Sequence, residues 1–196
     1  DYIFDKKLPY WIIYRNVEFD SVCKQLDFNV FKVFRDRQIT NKLLSDAGDI
    51  RVLKSRNISD NGKDVIDIDG YDSYISSIEA RSLSVFEYLR REDVYLAPNM
   101  TYKPRMMKKP KDTLVNGSLA ILVPKREIIP TEAQLEYFST QEYRDFYQVA
   151  RNYQTRSLNV DACSVFFYGL LRENEKPVPI TEKLDEQENV QISMFN

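Results

Sequence analysis

The chain has 196 residues, of which 43% are hydrophobic, 30% charged and 13% aromatic, and its formal net charge is −2. This composition is typical of a globular protein with one good core or two small ones, and it excludes a disordered chain. No apolar run approaches the roughly 18 residues of a transmembrane helix, and no signal-peptide pattern opens the chain. We therefore expect a protein without a membrane partner.

Histidine is absent, and the only cysteines are Cys23 and Cys163. The lack of histidine excludes Ser-His-Asp and Cys-His nucleophiles and imidazole acid–base chemistry. Two distant cysteines make neither a zinc site nor a disulfide framework, which favours a reduced, cytoplasmic setting. The five glycines stand singly, so no phosphate loop can be drawn from them. We predict no catalytic residue, no metal site and no cofactor in this chain, which has the character of a binding module.

Apolar and β-branched runs predict strands in the first two thirds of the chain, and a few amphipathic runs predict short helices. The predicted strands cover 10–14, 29–34, 50–53, 65–68 and 94–97, and the predicted helices cover 19–26 and 84–91. Asp60-Asn61-Gly62 predicts a turn. The alternation of aspartates with apolar residues at 65–68 is typical of a half-exposed strand.

The last third of the chain changes to the 3.6-residue period of helices. Thr131-x-x-Gln134 and Ser139-x-x-Glu142 are two capping-box signatures, each at the start of a predicted helix. The second helix carries one apolar stripe, formed by Tyr143, Phe146, Tyr147 and Ala150. Asp161 is expected to cap a last, buried helix over 162–171. This order predicts an α+β fold, with a mixed, largely antiparallel sheet and a C-terminal group of helices.

We expect residues 1–171 to form one recognition domain and 172–196 to form an acidic, proline-containing tail or linker stub. The chain begins at Asp1 without a methionine and becomes structured almost at once. Both features indicate a piece of a longer protein.

The most unusual stretch runs from Pro98 to Arg126 and contains seven basic residues against one acid, Asp112. Positive charge concentrated on an otherwise acidic chain favours an anionic partner, most commonly nucleic acid. The prolines of its centre, KPRMMKKPK, favour an extended loop. Asn116-Gly117, between two apolar runs, is typical of a hairpin turn. The sequence thus predicts a basic loop carried on a β-hairpin.

Several segments taken together resemble a known family of domains. They are YWIIYR (10–15), FKVFRDRQIT (31–40), IRVLKSRNI (50–58), the stretch 95–126, and FSTQEYRDFYQVARNYQTRSLNVD (138–161). In their order along the chain and their residue pattern, they resemble the C-terminal target-recognition (TaqI-like specificity) domain of bacterial adenine-N6 DNA methyltransferases. These enzymes belong to type II and IIG restriction–modification systems. The type I specificity subunits carry related domains and form an alternative.

The resemblance implies sequence-specific recognition of double-stranded DNA in the bacterial cytoplasm. The family's Asn-Pro-Pro-Tyr-type motif and its glycine motif for S-adenosylmethionine do not occur in this sequence. The resemblance therefore implies that S-adenosylmethionine binds to an N-terminal methyltransferase domain of the parent chain. That domain would flip and methylate the adenine while this one reads the site.

Under this interpretation the DNA-binding residues fall in two main segments. The candidates are Lys54, Arg56, Asn57, Tyr102, Lys103, Arg105, Lys108, Lys109 and Lys111. Arg105 is the expected base reader, because a guanidinium can grip guanine O6 and N7 together, and Asn57 could read adenine. Arg35, Arg37, Arg151 and Arg156 are weaker candidates.

Two other hypotheses fit parts of the sequence. Asp67 and Asp69 would point the same way on a strand and could hold Mg²⁺ for a nuclease, although no third acid with the usual nuclease spacing accompanies them. The basic stretch could instead bind an acidic protein.

Overall fold

A computed structural model describes residues 4–154 and 157–172. In this part of the chain the α-helices are α1 (Val17–Gln25), α2 (Ser77–Ala80), α3 (Glu132–Tyr137) and α4 (Gln141–Ala150). The strands are β1 (Leu26–Asp27), β2 (Phe31–Arg35), β3 (Ile50–Leu53), β4 (Ser73–Ile75), β5 (Tyr95–Pro98), β6 (Met107–Lys108), β7 (Thr113–Val115), β8 (Leu119–Pro124) and β9 (Leu170–Leu171). Short 3₁₀ helices cover Asn41–Leu43, Ser55–Asn57, Ser84–Tyr88 and Ser164–Phe167.

The centre of the molecule is an antiparallel sheet with the strand order β2-β8-β5-β6. In β8, Ala120 and Leu122 face one side, while Leu119 and Ile121 face the other. All four are buried, because each face of the sheet is covered by another layer. The near-continuous apolar run of β8 is therefore the signature of a strand buried on both sides.

The first layer consists of α1, α3, α4 and the segment 164–171. Asn16 caps α1 by accepting a hydrogen bond from the Phe19 amide at 2.8 Å. Phe19 stacks on Phe146 of α4 with ring centroids 4.9 Å apart, which joins the two helices in one aromatic core. A two-stranded pair, β1 with β9, closes the edge of this layer.

The second layer is a smaller sheet with the order β4-β3-β7, in which β3 is antiparallel to β4 and parallel to β7. Val52 and Leu114 are register partners in it, and both are fully buried against the opposite face of the central sheet. The 3₁₀ helix Ser84–Tyr88 completes this core with Val85 and Tyr88. The α+β class with mixed, mostly antiparallel sheets is thus confirmed.

The predicted hairpin at Asn116-Gly117 is wrong. β7 and β8 lie on either side of this turn, but β7 pairs with β3 and β8 pairs with β2 and β5. The Asn116 side chain accepts hydrogen bonds from the amide and hydroxyl of Ser118, which makes a local turn between two sheets. Gly117 is required there because a Cβ would lie 2.8 Å from the carbonyl oxygen of Asp36.

Other expectations were met in part. The helix at 19–26, the strands at 29–34, 50–53 and 94–97, the turn at Asp60–Gly62 and the first capping box are all present. The segment 10–14 is an irregular loop with only Ile12 buried, and 65–68 makes a single bridge between Val65 and Ile58. The apolar run at 10–14 and the alternation at 65–68 predict strands, but neither segment has a neighbouring strand to pair with along its length.

The helices are less clustered at the C-terminus than predicted. The helix predicted at 84–91 is only the 3₁₀ turn Ser84–Tyr88, and α4 is capped by Thr140 rather than Ser139. Asp161 accepts bonds from the amides of Cys163 and Ser164, as a cap does, but only a 3₁₀ turn and β9 follow. Among the described residues, no helix has the length and apolar character to cross a bilayer.

Replacement of Gly117 by alanine should destabilise the protein, because the new methyl group would collide with the Asp36 carbonyl in the turn that joins the two sheets. We expect a loss of about 1–3 kcal/mol in the free energy of unfolding, measured by urea titration. Gly70→Ala is the comparison: the site has open space but a φ of +65°, so only a backbone cost of about 1 kcal/mol applies. An unchanged stability for Gly117→Ala would contradict the close approach.

Candidate nucleic-acid interface

Three segments that carry predicted DNA-binding residues meet at one end of the two sheets. The C-terminal ends of β2, β3 and β5 lie there together with the N-terminal end of β8, as the strand register requires. Ser118, at the start of β8, accepts a hydrogen bond from the Ser55 amide at 3.0 Å and also binds the Asn99 amide through its carbonyl. We call the exposed and half-exposed side chains of this end the strand-end surface: Arg35, Arg37, Lys54, Arg56, Tyr102 and Lys103.

Arg105 fixes two of these segments to each other. Its Nη1 donates to Thr101 Oγ1 and to the carbonyl of Lys103, at 3.1 and 3.0 Å. Its Nη2 donates to the carbonyls of Ser55 and Ile58, at 3.0 and 3.2 Å. The side chain is 7% exposed, and burial lowers the pKa of its guanidinium. Arg105 is therefore a cross-link between loops, and the predicted base-reading role does not fit this conformation.

Lys54 and Arg56 are held against one aromatic ring. The Lys54 ammonium lies 3.9 Å from the centroid of Tyr71, and the Arg56 guanidinium carbon lies 4.8 Å from it. The Lys54 ammonium also donates to the Tyr71 carbonyl and to Ser73 Oγ, and burial lowers its pKa. The Tyr71 ring orients the Arg56 guanidinium. Because Arg56 is exposed, the donors of that guanidinium face solvent.

Asn57, predicted as an adenine reader, is fully buried. Its amide donates to Asp72 Oδ1 at 2.6 Å and to the Ile66 carbonyl at 3.0 Å, and its oxygen accepts from the Lys54 amide. Every polar group of the side chain is thus used inside the protein. These contacts are those of a residue that forms a turn, and they leave no group free to read a base.

Arg35 and Arg37 flank Asp36 where β2 ends. Asp36 is buried and accepts hydrogen bonds from the amides of Gln38 and Ile39, which turns the chain sharply. Arg37 is exposed and Arg35 is half-buried. Neither arginine has a carboxylate partner among the described residues.

The loop after β5 adds an exposed ring and a paired cation. Tyr102 is 62% exposed. The Lys103 ammonium lies 2.7 Å from Asp60, and both side chains are well exposed, so the pair is worth little in water. This hydrogen bond lowers the pKa of Asp60. A phosphate could therefore compete with Asp60 for Lys103 at small cost.

The remaining lysines of the basic stretch lie at the opposite end of the sheet. β6 runs back along β5, so Lys108 is the register partner of Tyr95, at the start of β5. Lys108 and Lys111 are exposed there. Lys109 is 1% exposed and donates to the carbonyls of Leu89 and Pro110, at 3.1 and 2.9 Å. The predicted basic loop on a β-hairpin is therefore wrong: some of its cations lie at one end of the sheet, some lie at the other end, and Lys109 is buried.

The two weakest candidates do not join the strand-end surface. Arg151 ends α4 and pairs with Asp161 at 2.8 Å, which ties the helix to the turn before the 3₁₀ helix Ser164–Phe167. Its side chain is mostly buried, so the role expected of a helix-terminal arginine fits it better than DNA contact. Arg156 lies outside the described residues, as does the predicted tail beyond Arg172.

Two residues of this end escaped the sequence analysis. Tyr71 orients Lys54 and Arg56, and Asp72 binds Asn57 and, at 2.8 Å, Arg51. Their sequence signal is their position after Gly70, which has a φ of +65° and lies in a turn that begins at Ile68. The contacts depend on residues from another segment, and spacing within one segment does not reveal them.

The aspartates of the nuclease hypothesis do not form a metal site in the described part of the chain. Asp67 pairs with Arg51 at 2.6 Å, and the strand that was to place it beside Asp69 is missing. Within residues 4–154 and 157–172, no group of three potential ligands is arranged to hold a metal ion.

Comparisons with known proteins give no further assignment. A scan against protein-family models and a search of curated proteins both returned no match for this chain.

The buried Lys109 should give the protein a distinctive pH dependence. Burial lowers the pKa of Lys109 to about 8, whereas the unfolded side chain keeps the ordinary value of 10.5. Between these values the unfolded state binds more protons, so the contribution of Lys109 to stability increases as the pH rises. The rise is opposed near its upper end by Cys23, whose pKa is raised by burial to about 12.

A comparison of variants isolates the contribution of Lys109. In Lys109→Met the two carbonyls keep donors, because Leu89 also accepts from the Asp112 amide and Pro110 from the Thr113 hydroxyl. Between pH 7.5 and pH 9.5 the unfolding free energy of the parent should increase relative to that of Lys109→Met, because only the parent carries the buried ammonium. Lys108→Met, at the exposed neighbour, should keep that increase. Parallel pH profiles for all three proteins would contradict a buried ammonium.

Proposed function

We propose that this chain is a duplex-DNA target-recognition domain that binds DNA through the strand-end surface. What supports this is one observation: cations from three segments far apart in sequence, at 35–37, 54–56 and 103, converge at one end of the sheets. A fold can scatter its charges over the whole surface, so convergence on one end favours an anionic partner. The resemblance of the same segments to methyltransferase target-recognition domains points to DNA as that partner.

Within this proposal the residues have different roles. Arg56 takes the base-reading role first expected of Arg105, because it is exposed and its guanidinium is oriented by Tyr71. A planar fork held in one orientation can bind guanine O6 and N7 together, and less side-chain entropy is lost on binding. Arg37 and Lys103 lie where they could bind phosphates, which position the protein without carrying sequence information. Tyr102 offers an exposed ring and hydroxyl for contact with the DNA backbone.

The methylation chemistry belongs outside this chain under the proposal. S-adenosylmethionine would need a glycine-rich loop, and here the described glycines with positive φ, Gly62 and Gly70, lie in polar turns. The residues present therefore do not fit the cofactor. We propose that an N-terminal methyltransferase domain of the parent adenine-N6 enzyme holds it.

Binding to a short duplex should weaken strongly with salt. Because Arg56 is assigned to a base, Arg37, Lys103, Arg35 and Lys54 are available for about three to four phosphate contacts. At roughly 0.9 per contact, the slope of log K against log salt should lie between about −2.7 and −3.6. Fluorescence anisotropy of a labelled duplex at several salt concentrations measures this slope. A slope near zero would contradict binding through phosphates.

Single substitutions should separate the strand-end surface from the opposite end of the sheet. Arg37→Ala should reduce the magnitude of the salt slope by about 1, and Arg56→Ala should also reduce discrimination between duplex sequences. Lys108→Ala and Lys111→Ala are matched controls, since these exposed lysines lie at the other end, and their affinities should match the parent. If the Lys108 and Lys111 variants lose affinity and the arginine variants do not, the strand-end surface is not the site. Competition by polyglutamate as effective as that by DNA would instead favour a protein partner.

A further inference from the structure

The N-terminal segment places an unusual amount of apolar surface in solvent. Of the eleven large hydrophobic side chains that are exposed in the described residues, six lie together in 4–17 and at the end of α4. They are Phe4, Trp11, Ile13, Tyr14, Val17 and Tyr153. Contiguous exposed apolar surface of this kind marks an interaction site more often than isolated exposed residues do.

Specific contacts hold this segment in place. Asn152 binds it at two points, since its side chain accepts from the Ile13 amide at 2.7 Å and donates to the Trp11 carbonyl at 2.8 Å. Tyr14 and Tyr153 meet edge to face with centroids 5.5 Å apart. Asn152 and Tyr153 both have positive φ, which is uncommon for a tyrosine and holds its ring at the surface. The apolar side chains are therefore presented on an ordered backbone.

The patch continues into a groove of about 370 Å³ between α1 and α4. Phe19 and Val22 line it from α1, and Phe146 and Val149 line it from α4, in each case at a spacing of three residues. Tyr153 lines one end, so the groove and the exposed patch share a residue. Each flanking helix has about ten residues, a length of roughly 15 Å, which matches about three turns of a third helix lying over the seam where α1 and α4 pack together.

The charges on the groove indicate the kind of helix that would fit. Its charged lining residues are Glu18 of α1 and Glu142 and Asp145 of α4, and none of the residues that line it is basic. The carboxylates thus stand on both sides of an apolar floor. A duplex would be repelled from this groove, and a helix with lysine or arginine beside its apolar face would be complementary to it.

We propose that this groove and the adjoining patch bind an amphipathic basic helix of a partner protein. The apolar face of that helix, at positions i, i+3, i+4 and i+7, would cover the exposed side chains of Tyr14, Val17 and Tyr153, which adjoin the groove. Its flanking cations would face Glu18 on one side and Asp145 on the other. The interaction does not depend on the DNA proposal, because it uses other residues and the opposite charge.

A model peptide tests the proposal. The probe is a synthetic helix of about 14 residues, with leucine at i, i+3, i+4 and i+7 and lysine elsewhere. Trp11 is the only tryptophan of the chain and lies in the patch, so its emission reports on coverage, and amide chemical shifts of Val22 and Val149 report on the groove. We expect saturable binding, a blue shift of Trp11 emission and shifts at both valines.

Matched controls separate the groove from general attraction to a cationic peptide. A peptide of the same composition with its leucines redistributed, and one with glutamate in place of lysine, should bind at least tenfold more weakly. The Glu18→Gln/Asp145→Asn variant should bind about two- to tenfold more weakly, whereas Glu87→Gln, at an exposed acid elsewhere, should bind as the parent does. Circular dichroism checks that the variants are folded, and Val17→Ser, at an exposed site of the patch, provides a second variant that leaves the charges intact.

Three results would overturn the proposal. Equal binding of the redistributed peptide would show attraction by charge alone. An absence of shifts at Val22 and Val149 at saturating peptide would place binding elsewhere. Concentration-dependent burial of Trp11 without peptide, together with a dimer in sedimentation velocity, would assign the patch to a second copy of the chain. Loss of DNA binding in the strand-end variants has no bearing on any of them.

Discussion

A buried guanidinium organises the end of the molecule on which the proposed function rests. Arg105 reaches from the loop after β5 to the carbonyls of Ser55 and Ile58, at the end of β3. Carbonyl oxygens in the protein interior are good acceptors for a charge that water no longer solvates, and a well-bonded arginine can remain charged there. This cross-link fixes the relative positions of Lys103 and Arg56. Arg105, which the sequence analysis expected to bind a DNA base, thus instead holds the loops of the surface together from inside.

The whole strand-end surface contains the same two kinds of polar residue: buried ones that hold the turns in place, and exposed ones that can contact a ligand. Asn57 and Asp36 shape their turns from inside: the side-chain amide of Asn57 is bound to backbone and to Asp72, and Asp36 Oδ2 accepts from two backbone amides. Arg37, Arg56 and Tyr102 stand on those turns and face solvent. A surface built this way is preorganised, so little conformational entropy is lost when a ligand binds. The groove between α1 and α4 is separate from it and differs in charge, so the two proposed partners would not compete for the same residues.

The sequence predicted the local features of the fold and missed most of the pairings. Periodicity located α4, and the box at Thr131-x-x-Gln134 located the start of α3, because caps and stripes depend on residues a few positions apart. The turn at Asn116-Gly117 was assigned to the wrong partner strands, since the choice between hairpin and crossover is made by β3 and β2, far away in the chain. For the candidate site, the sequence pointed to the basic segments but not to which of their cations are exposed, and composition could not tell Lys108 from Lys109. Lys108 ends β6 and faces solvent, whereas Lys109 follows the strand and points to the opposite side, where the Leu89 and Pro110 carbonyls bind it.

The position of β8 in the middle of the central sheet also determines how this chain can acquire its structure. β2 can pair only after β8 has been synthesised, since Arg35 pairs with Ala120. β1 can pair only after β9, near the end of the described chain, has been synthesised. Each pairing closes a long loop before any contact compensates for the lost chain entropy, which is the topology of a slow folder. On a ribosome, β1, β2 and β5 would therefore emerge before the strands that pair with them, whereas β3 could already pair with β4. A nascent chain of this kind is a natural client for chaperones that shield strand edges until synthesis is complete.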